Sequence, residues 1–354
     1  MKQSRGFFHH PFFIRLSKWE YWSFNAVYLW VIPWWFWLSI RARSFFFFNA
    51  SNPCIENGGF LNESKKDIHS ILPEGLYPRS IHFPIPADPK QVWDAIHSSG
   101  MQFPMIGKPD IGGRGRGVKK LCSRSELERY VSACTLDFHI QAYIPHSEEV
   151  GIFYHRYPGE RKGKITGIVR KEFLAVRGDG KHTVRELLAG DKRGIMYLQN
   201  LERILGDSLS EVPAEGESKI VSPYGNHARG SLFLDETYRA DARLHALMDS
   251  IADKIPGFHF GRLDIRYREW EAFVEGRDFS VIELNGAGAE PTHMYDPRHS
   301  IFFAWKEITR HWTIMQRISV MNHARGIPYL GFKEGRAVFR KDKEISKMLA
   351  HMPE

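Results

Sequence analysis

The sequence predicts an α+β protein of two or three subdomains, on three observations. Strand-length runs at 101–108, 139–143, 150–157 and 164–176 carry alternating or continuous apolar residues bounded by glycine and proline. Helix-length segments at 62–71, 90–99, 125–133, 184–189, 197–204, 235–254 and 302–321 separate or follow them. A chain of 354 residues, 43% hydrophobic and 25% charged, is long enough for several cores and too apolar for disorder. The net charge of +8 and pI near 9.3 favour anionic ligands, meaning nucleotide, phosphates or an acidic lipid surface. No recognition helix, zinc finger or RNA-binding signature is present, which argues against nucleic acid. Cys54, Cys122 and Cys134 have neither CxxC spacing nor an even count, so a disulfide framework and a thiolate zinc site are both disfavoured and a reducing cytosolic location fits. The histidines, the His9-His10 pair included, fall in no metal-ligand spacing.

The first fifty residues differ from the rest. Six of the ten tryptophans lie between Trp19 and Trp37, and 27–38 has no polar side chain apart from the Tyr28 hydroxyl and the indole N–H groups. About 20 apolar residues can cross a bilayer, so 21–40 is just long enough. Against a crossing, Pro33 interrupts the middle, the tryptophans fill the centre instead of two interfacial belts, and both flanks are basic, with Lys2, Arg5, Arg15 and Lys18 before and Arg41 and Arg43 after. The preferred expectation is a helix–proline–helix element lying at the cytoplasmic face of a membrane. The alternatives are an aromatic cap on the catalytic domain, a contact with a second copy in a homodimer, and a true span. No small-residue cleavage site follows, so a signal peptide is not expected. An apolar run at 45–48, a loop at 49–59 and the helix at 62–71 come next, and the basic tail at 333–347 is expected to be a peripheral helix or a solvated appendage.

Chemistry concentrates in two places. Gly261-Arg262-Leu263-Asp264-Ile265 and Val281-Ile282-Glu283-Leu284-Asn285-Gly286 put three oxygen ligands, from Asp264, Glu283 and Asn285, on two neighbouring strand-like runs, a set suited to a hard cation such as Mg²⁺ that keeps positions for water and phosphate. Arg262 shares the face of Asp264 by the two-residue period of a strand. Far upstream, a strand ending in Lys108 precedes a cationic glycine loop, Gly112-Gly113-Arg114-Gly115-Arg116-Gly117, whose backbone N–H groups can form an anion nest.

In this order the motifs resemble the ATP-grasp superfamily over roughly residues 60–300, in particular the D-alanine–D-alanine ligase and cyanophycin synthetase-like carboxylate–amine ligases. Gly261, Arg262, Asp264, Glu283 and Asn285 match the ligase pattern, and Gly178-Asp179-Gly180-Lys181-His182-Thr183-Val184 is similar to a cyanophycin synthetase turn. The resemblance implies two α+β lobes gripping ATP, with an aromatic segment at 1–48, a shortened preceding region at 49–85, a catalytic domain at 86–322 and a basic appendage at 323–354. It implies two Mg²⁺ ions, with Mn²⁺ as substitute, bridged by Glu283 and held individually by Asp264 and Asn285. Lys65, with Lys66 in reserve, would reach the α-phosphate and Lys108 the α/β-phosphates. Adenine would meet the hinge Gln141, Ala142, Tyr143 and Ile144, and Glu149 the ribose. Arg262 would stabilise the acyl phosphate, with Arg114 and Arg116 standing where the D-alanine ligases carry serines. Arg170, Lys171, Asn226, Arg229 and Glu290 are the substrate-side candidates. The implied reaction is ADP-forming ligation of an unidentified carboxylate and amine, lipid-linked if the N-terminus meets a membrane. The rivals are a phosphotransferase on the same fold and a nucleotide-binding membrane module without turnover.

Overall fold

A computed structural model describes residues 10–113 and 115–352, and these form the expected mixture of helices and antiparallel sheets. The N-terminal helices α1 (Pro11–Ser17), α2 (Phe24–Tyr28) and α3 (Ile32–Ala42) are short. Ser23 caps α2 through the Ala26 N–H, and Pro33 lies in the first turn of α3, where its missing N–H leaves no bond unmade. Pro33 thus starts a helix instead of breaking one. Trp35, Leu38 and Ala42 of α3 are buried against Phe46, Phe47 and Phe48 and against Ile314, Met315 and Ile318 of the long helix at Ile301–Ala324. Each such large side chain contributes roughly 1.5–3 kcal/mol, so the segment is docked firmly on the rest of the chain. Its outer face keeps Leu29, Trp30, Trp37 and Ile40 exposed. Among the described residues no helix is long and apolar enough to cross a membrane.

The first lobe follows. Strands β1 (Ser80–Phe83), β2 (Met105–Pro109), β3 (Lys119–Leu121) and β4 (Phe138–Ala142) form an antiparallel sheet in the order β1-β4-β2-β3. α4 (Lys65–Ile71) is capped by Ser64, α5 (Pro89–Ser98) by Asp88 and α6 (Arg124–Ala133) by Ser123. Val92 and Ile96 of α5 and Leu127, Tyr130 and Val131 of α6 bury their apolar stripes on Met105, Leu121, Phe138 and Ile140. Gly107 permits the approach, since a Cβ there would meet the Tyr130 ring at 2.7 Å.

The second lobe is a five-stranded antiparallel sheet. Its strands are β5 (Glu148–His155), β6 (Lys164–Glu172), β9 (Leu232–Asp235), β10 (Phe260–Tyr267) and β11 (Phe279–Asn285), in the order β11-β10-β5-β6-β9. Between β6 and β9 the chain makes a small hairpin sheet of β7 (Leu174–Arg177) and β8 (Ser218–Ser222), covered by α7 (Val184–Gly190) and α8 (Gly194–Leu205). The apolar run expected as one strand at 164–176 is therefore two strands in two sheets. The helix expected at 235–254 likewise begins only at α9 (Ala242–Asp253), capped by Asp241, with the end of β9 and a 3₁₀ turn at Thr237–Arg239 in front of it. Leu244, Met248 and Ile251 of α9 pack on Val150, Ile152, Ile168, Leu263 and Ile265, the odd or even sets that face one side of the sheet. After the short α10 (Trp270–Val274), β11 leads to the long helix already met, α11 (Ile301–Ala324). The tail forms α12 (Phe332–Leu349), whose Ile345 and Leu349, followed by Met352, enter the first-lobe core.

Candidate active site

Every second residue of β10 faces away from α9, so Arg262, Asp264 and Arg266 line one cleft together, while Leu263, Ile265 and Tyr267 enter the core. Asp264 pairs in register with Glu283 and Arg262 with Asn285 across to β11, and a bulge beside Asp264 lets Ile282, Glu283 and Asn285 all reach the same cleft. The cleft, of about 1030 Å³, is closed from the other lobe by Lys65, Lys108, Gly112, Gly113, Gly115 and Arg116. The two separate chemistry-bearing stretches of the sequence thus meet across one opening.

Asp264 is buried and held by three nitrogens. Arg262 donates from Nε to Oδ1 at 2.8 Å and from Nη2 to Oδ2 at 3.0 Å, and Lys171 Nζ lies 3.2 Å from Oδ2. Burial pushes the Asp264 carboxyl up, but Arg262 and Lys171 outweigh it and keep it below its ordinary value. Gly151 leaves room for the pair, since a Cβ there would meet Asp264 Oδ1 at 2.9 Å and Arg262 Cδ at 3.2 Å. The Lys171 ammonium also donates to Glu149 Oε1 at 3.0 Å, and burial is outweighed by Asp264 and Glu149, which raise its pKa. Arg266 completes the chain, donating from Nε to Glu149 Oε2 at 3.2 Å and from its two terminal nitrogens to the carbonyls of Ile144 and Pro223.

Glu283 has no ion pair among the described residues, and the buried Asn285 Nδ2 has no hydrogen-bond partner. A carboxylate and an amide oxygen free for coordination, beside a second carboxylate whose charge is balanced by exchangeable side chains, fit a hard divalent cation in donor type.

Lys65, at the start of α4, donates from Nζ to the carbonyls of Asp110 and Gly112, both at 3.2 Å, and lines the cleft, whereas Lys66 points to solvent. Lys108 is buried without an ion pair among the described residues, and burial, assisted by Lys65, pushes its ammonium down to about 7 against the pull of Glu283 and Asp110. Gln141, Ala142, Tyr143 and Ile144 line the same cleft, with Lys120 Nζ 4.4 Å above the Tyr143 ring.

Several expectations are corrected in placement. Glu149, expected at the ribose hydroxyls, lines the cleft with its two oxygens engaged by Lys171 and Arg266. Arg170, one residue out of phase with Lys171, faces the other side of β6 and pairs with Glu236 and Glu172. Arg229 is not on the cleft wall. It clasps the glycine loop from behind, donating to the Gly115 carbonyl at 2.6 Å and the Val118 carbonyl at 3.4 Å, with its guanidinium 4.4 Å over the Tyr224 ring. Gly117 lies outside the cleft, packed at φ +67° against Met352 and Pro109. Asn226 lines the cleft and caps the turn at His227–Arg229 through the Ala228 N–H. Arg114 lies outside the described residues.

Other groups had no sequence signal. Glu63 shares a small recess with Lys65, Lys108 and Glu283, and accepts the Gly286 N–H at 2.7 Å. Burial pushes its carboxyl up to about 8, the Gly286 N–H opposing and Glu283 reinforcing. Glu20, buried in the N-terminal segment, pairs with Arg193 at 2.5 Å and His227 at 3.2 Å and so ties that segment to the far wall. His82, Asp110 and His139 converge despite their spacing. Asp110 Oδ1 meets His139 Nε2 at 2.9 Å and accepts from Ser64 Oγ and the Lys66 N–H, which fixes the start of α4 beside the glycine loop.

No protein-family model matches the chain, and no curated protein sequence does. Among solved structures the chain is similar to D-alanine–D-alanine ligase from Bacillus anthracis, at 17% identity and TM-score 0.44 over 76% of this chain and 71% of that one. It is similar to a bifunctional glutathione synthetase from Pasteurella multocida at 16% identity and TM-score 0.38, over 71% of this chain but only 35% of that one. A third likeness is to the ATP-grasp ligase PsnB in complex with a minimal precursor, at 16% identity and TM-score 0.33, over 64% and 52% of the two chains. All three likenesses lie below 20% identity and below a TM-score of 0.5.

Proposed function

We propose that the protein is an ATP-dependent, ADP-forming carboxylate–amine ligase that works through an acyl phosphate. One observation carries the reading: cations and glycines of one lobe face carboxylates, an amide and an arginine of the other across a single cleft. Lys65, Lys108 and the loop residues Gly112, Gly113, Gly115 and Arg116 hold the phosphates, and the hinge at 141–144 receives the base. Asp264, Glu283 and Asn285 would hold Mg²⁺, which when bound draws the β- and γ-phosphate charge together. Arg262, kept in place by Asp264, faces the transferring phosphoryl group and the oxyanion that follows. A carboxylate oxygen attacks the γ-phosphorus and the bond to the bridging oxygen breaks, releasing ADP. The amine nitrogen then attacks the acyl carbon, and the carbon–oxygen bond to phosphate breaks.

The test is ADP and inorganic phosphate release by purified protein with Mg-ATP and panels of carboxylates and amines. Release of both products only when a carboxylate and an amine are present is the expected outcome. ADP without free phosphate would mark a kinase, and nucleotide binding without turnover a non-catalytic module. Glu283→Gln should abolish release while leaving the thermal transition in place, since it removes charge at the metal and not packing; wild-type release from that variant would remove Glu283 from the metal set.

A further inference from the structure

The aromatic N-terminal segment lines part of the same cleft, and Glu290, which follows the metal strand, lines it as well. We propose that the amine substrate is an amphiphile, a primary ammonium head seated on Glu290 and an apolar body lying along Tyr28, Ile32, Trp35, Phe36, Phe45 and Phe60. The inference rests on the ligase reading and names the substrate class for that site.

Four observations converge. Glu290 is fixed next to the reaction centre because Arg262 Nη1 donates to its main-chain carbonyl at 3.0 Å. Its carboxylate Oε1 accepts from the Tyr28 hydroxyl at 2.7 Å and the Tyr295 hydroxyl at 3.3 Å, and although Arg262 feels its charge, no cation among the described residues comes within ion-pair distance of it. The other cleft carboxylates differ: Glu20, Glu149 and Asp264 are each ion-paired, and Glu283 belongs to the metal set. A carboxylate with no direct ion pair, flanked by aromatic rings, is matched by an ammonium, which both the charge and the ring faces attract. Tyr28 is stacked on Phe24 with centroids 4.1 Å apart, and Tyr295 on Trp19 at 5.4 Å, so these rings are held in place for the purpose.

The wall that the N-terminal segment supplies to the cleft is mostly apolar. Trp35 and Phe60 are packed inside, centroids 5.5 Å apart, while Ile32, Phe36 and Phe45 line the cleft and are also 41%, 53% and 41% exposed. An exposed apolar strip that continues a substrate cleft to the surface is suited to a chain that extends outward from the head. In the reaction the ammonium sheds two protons as the amide nitrogen–carbon bond forms and the acyl carbon–oxygen bond breaks. One leaves on the released phosphate, the other passes through Glu290 to water.

The experiment is equilibrium binding to the full chain in the presence of Mg-ADP, followed by tryptophan fluorescence, with alkylamines of four to twelve carbons below their micellar concentrations, and with dodecanol and dodecanoate. Affinity should rise by about fourfold per methylene while the chain stays in contact with the wall. Glu290→Gln should weaken dodecylamine at least tenfold and dodecanol little, and Phe36→Ser should flatten the chain-length dependence. Chain-length-independent affinity, or dodecanol or dodecanoate binding as tightly as dodecylamine, would overturn the proposal. Nucleotide affinity is read separately on each variant: if Mg-ADP does not bind the wild type, it is the ligase reading that fails, and if it binds each variant normally, a folding defect is excluded. Vesicles of phosphatidylethanolamine against phosphatidylcholine identify the source. Selective binding of the former, displaced by dodecylamine, assigns a bilayer lipid, and dodecylamine binding without vesicle selectivity assigns a free amphiphile. Equal binding of both vesicles together with no dodecylamine affinity would overturn the site.

Discussion

Lys108 shows most sharply how a single residue can be held against stability for a ligand. An ammonium buried without a carboxylate partner loses hydration and gains nothing in return, which is why burial pushes it down to about 7. The unfavourable charge is present in full below that value, where folded and unfolded chains both carry it. It fades as pH rises toward the ordinary lysine range, because the folded form then gives up its proton first. Lys108→Met should therefore stabilise the protein by roughly 1–3 kcal/mol near pH 6 and progressively less toward pH 9, while Mg-ATP affinity falls at least tenfold. Thermal unfolding of both proteins across that pH range, with nucleotide titration at pH 7, checks it. A Tm gain that does not shrink with pH would mean that methionine packing, and not the lost charge, is responsible. Wild-type nucleotide binding should also take up protons near pH 7 to 8, since phosphate restores the charge on Lys108, a change that calorimetry in buffers of different ionisation enthalpy resolves.

Between residue and molecule, the glycine loop is set by a neighbour on another element. Arg229 reaches from the turn after β8 to two loop carbonyls and stacks on Tyr224, whose hydroxyl accepts the Lys120 N–H at 3.3 Å. Arg229→Ala should raise the KM for ATP about tenfold with a smaller effect on kcat, and Arg229→Lys should not restore it, because a single ammonium cannot serve two carbonyls and a ring together. Steady-state kinetics on the three proteins distinguishes this from a direct role in chemistry, which would lower kcat at unchanged KM. Sequence reading placed Arg229 at the site without this role, and the pattern of success has a physical basis. On β10 a strict period of two, with Arg262, Asp264 and Arg266 on one side and Leu263 and Ile265 on the other, already states which side chains meet, and on β11 only the bulge at Ile282 interrupts it. On β6 the same rule separates Lys171 from Arg170, and treating them as a pair ignored it. The run at 164–176 reads as one strand because Phe173, Leu174 and Val176 resume the apolar pattern after Arg170, Lys171 and Glu172, and a change of partner leaves no mark on periodicity. Glu63 and Glu20 were invisible for a different reason: each owes its place to chain that returns from more than 170 residues away.

At the scale of the whole molecule, the aromatic segment around Phe46 and helix α12 meet beside the cleft. Hydrophobicity in the N-terminal segment pointed first to a membrane face, with a cap on the catalytic domain as the alternative, because composition does not name a partner; the buried side of the segment packs on α11 and α12. α12 in turn joins the lobes, with Ile345 and Leu349 in the first-lobe core, the Val338 carbonyl accepting from Asn62 Nδ2 at 3.1 Å, and Phe339 lining the cleft. The junction depends on Gly335, where a Cβ would meet the Phe46 ring at 2.5 Å. That ring has little freedom to retreat, being 5% exposed and surrounded by Phe48, Phe332 and Phe339 at 6.1, 6.1 and 6.2 Å between centroids. A glycine inside a helix is ordinarily improved by alanine, by about 0.8–1 kcal/mol, through backbone entropy. At this position the sign should reverse, because overpacking of the kind a methyl would cause costs about 1–3 kcal/mol. Gly335→Ala should accordingly lower the Tm by a few degrees and reduce turnover, since Phe46 and Phe339 hold the apolar end of the cleft in shape. Ala337→Gly on the exposed face of the same helix supplies the pure propensity effect for comparison. A Gly335→Ala protein that melts at or above the wild-type temperature would show that Phe46 yields, and that α12 rests on the aromatic segment loosely enough for the two to part.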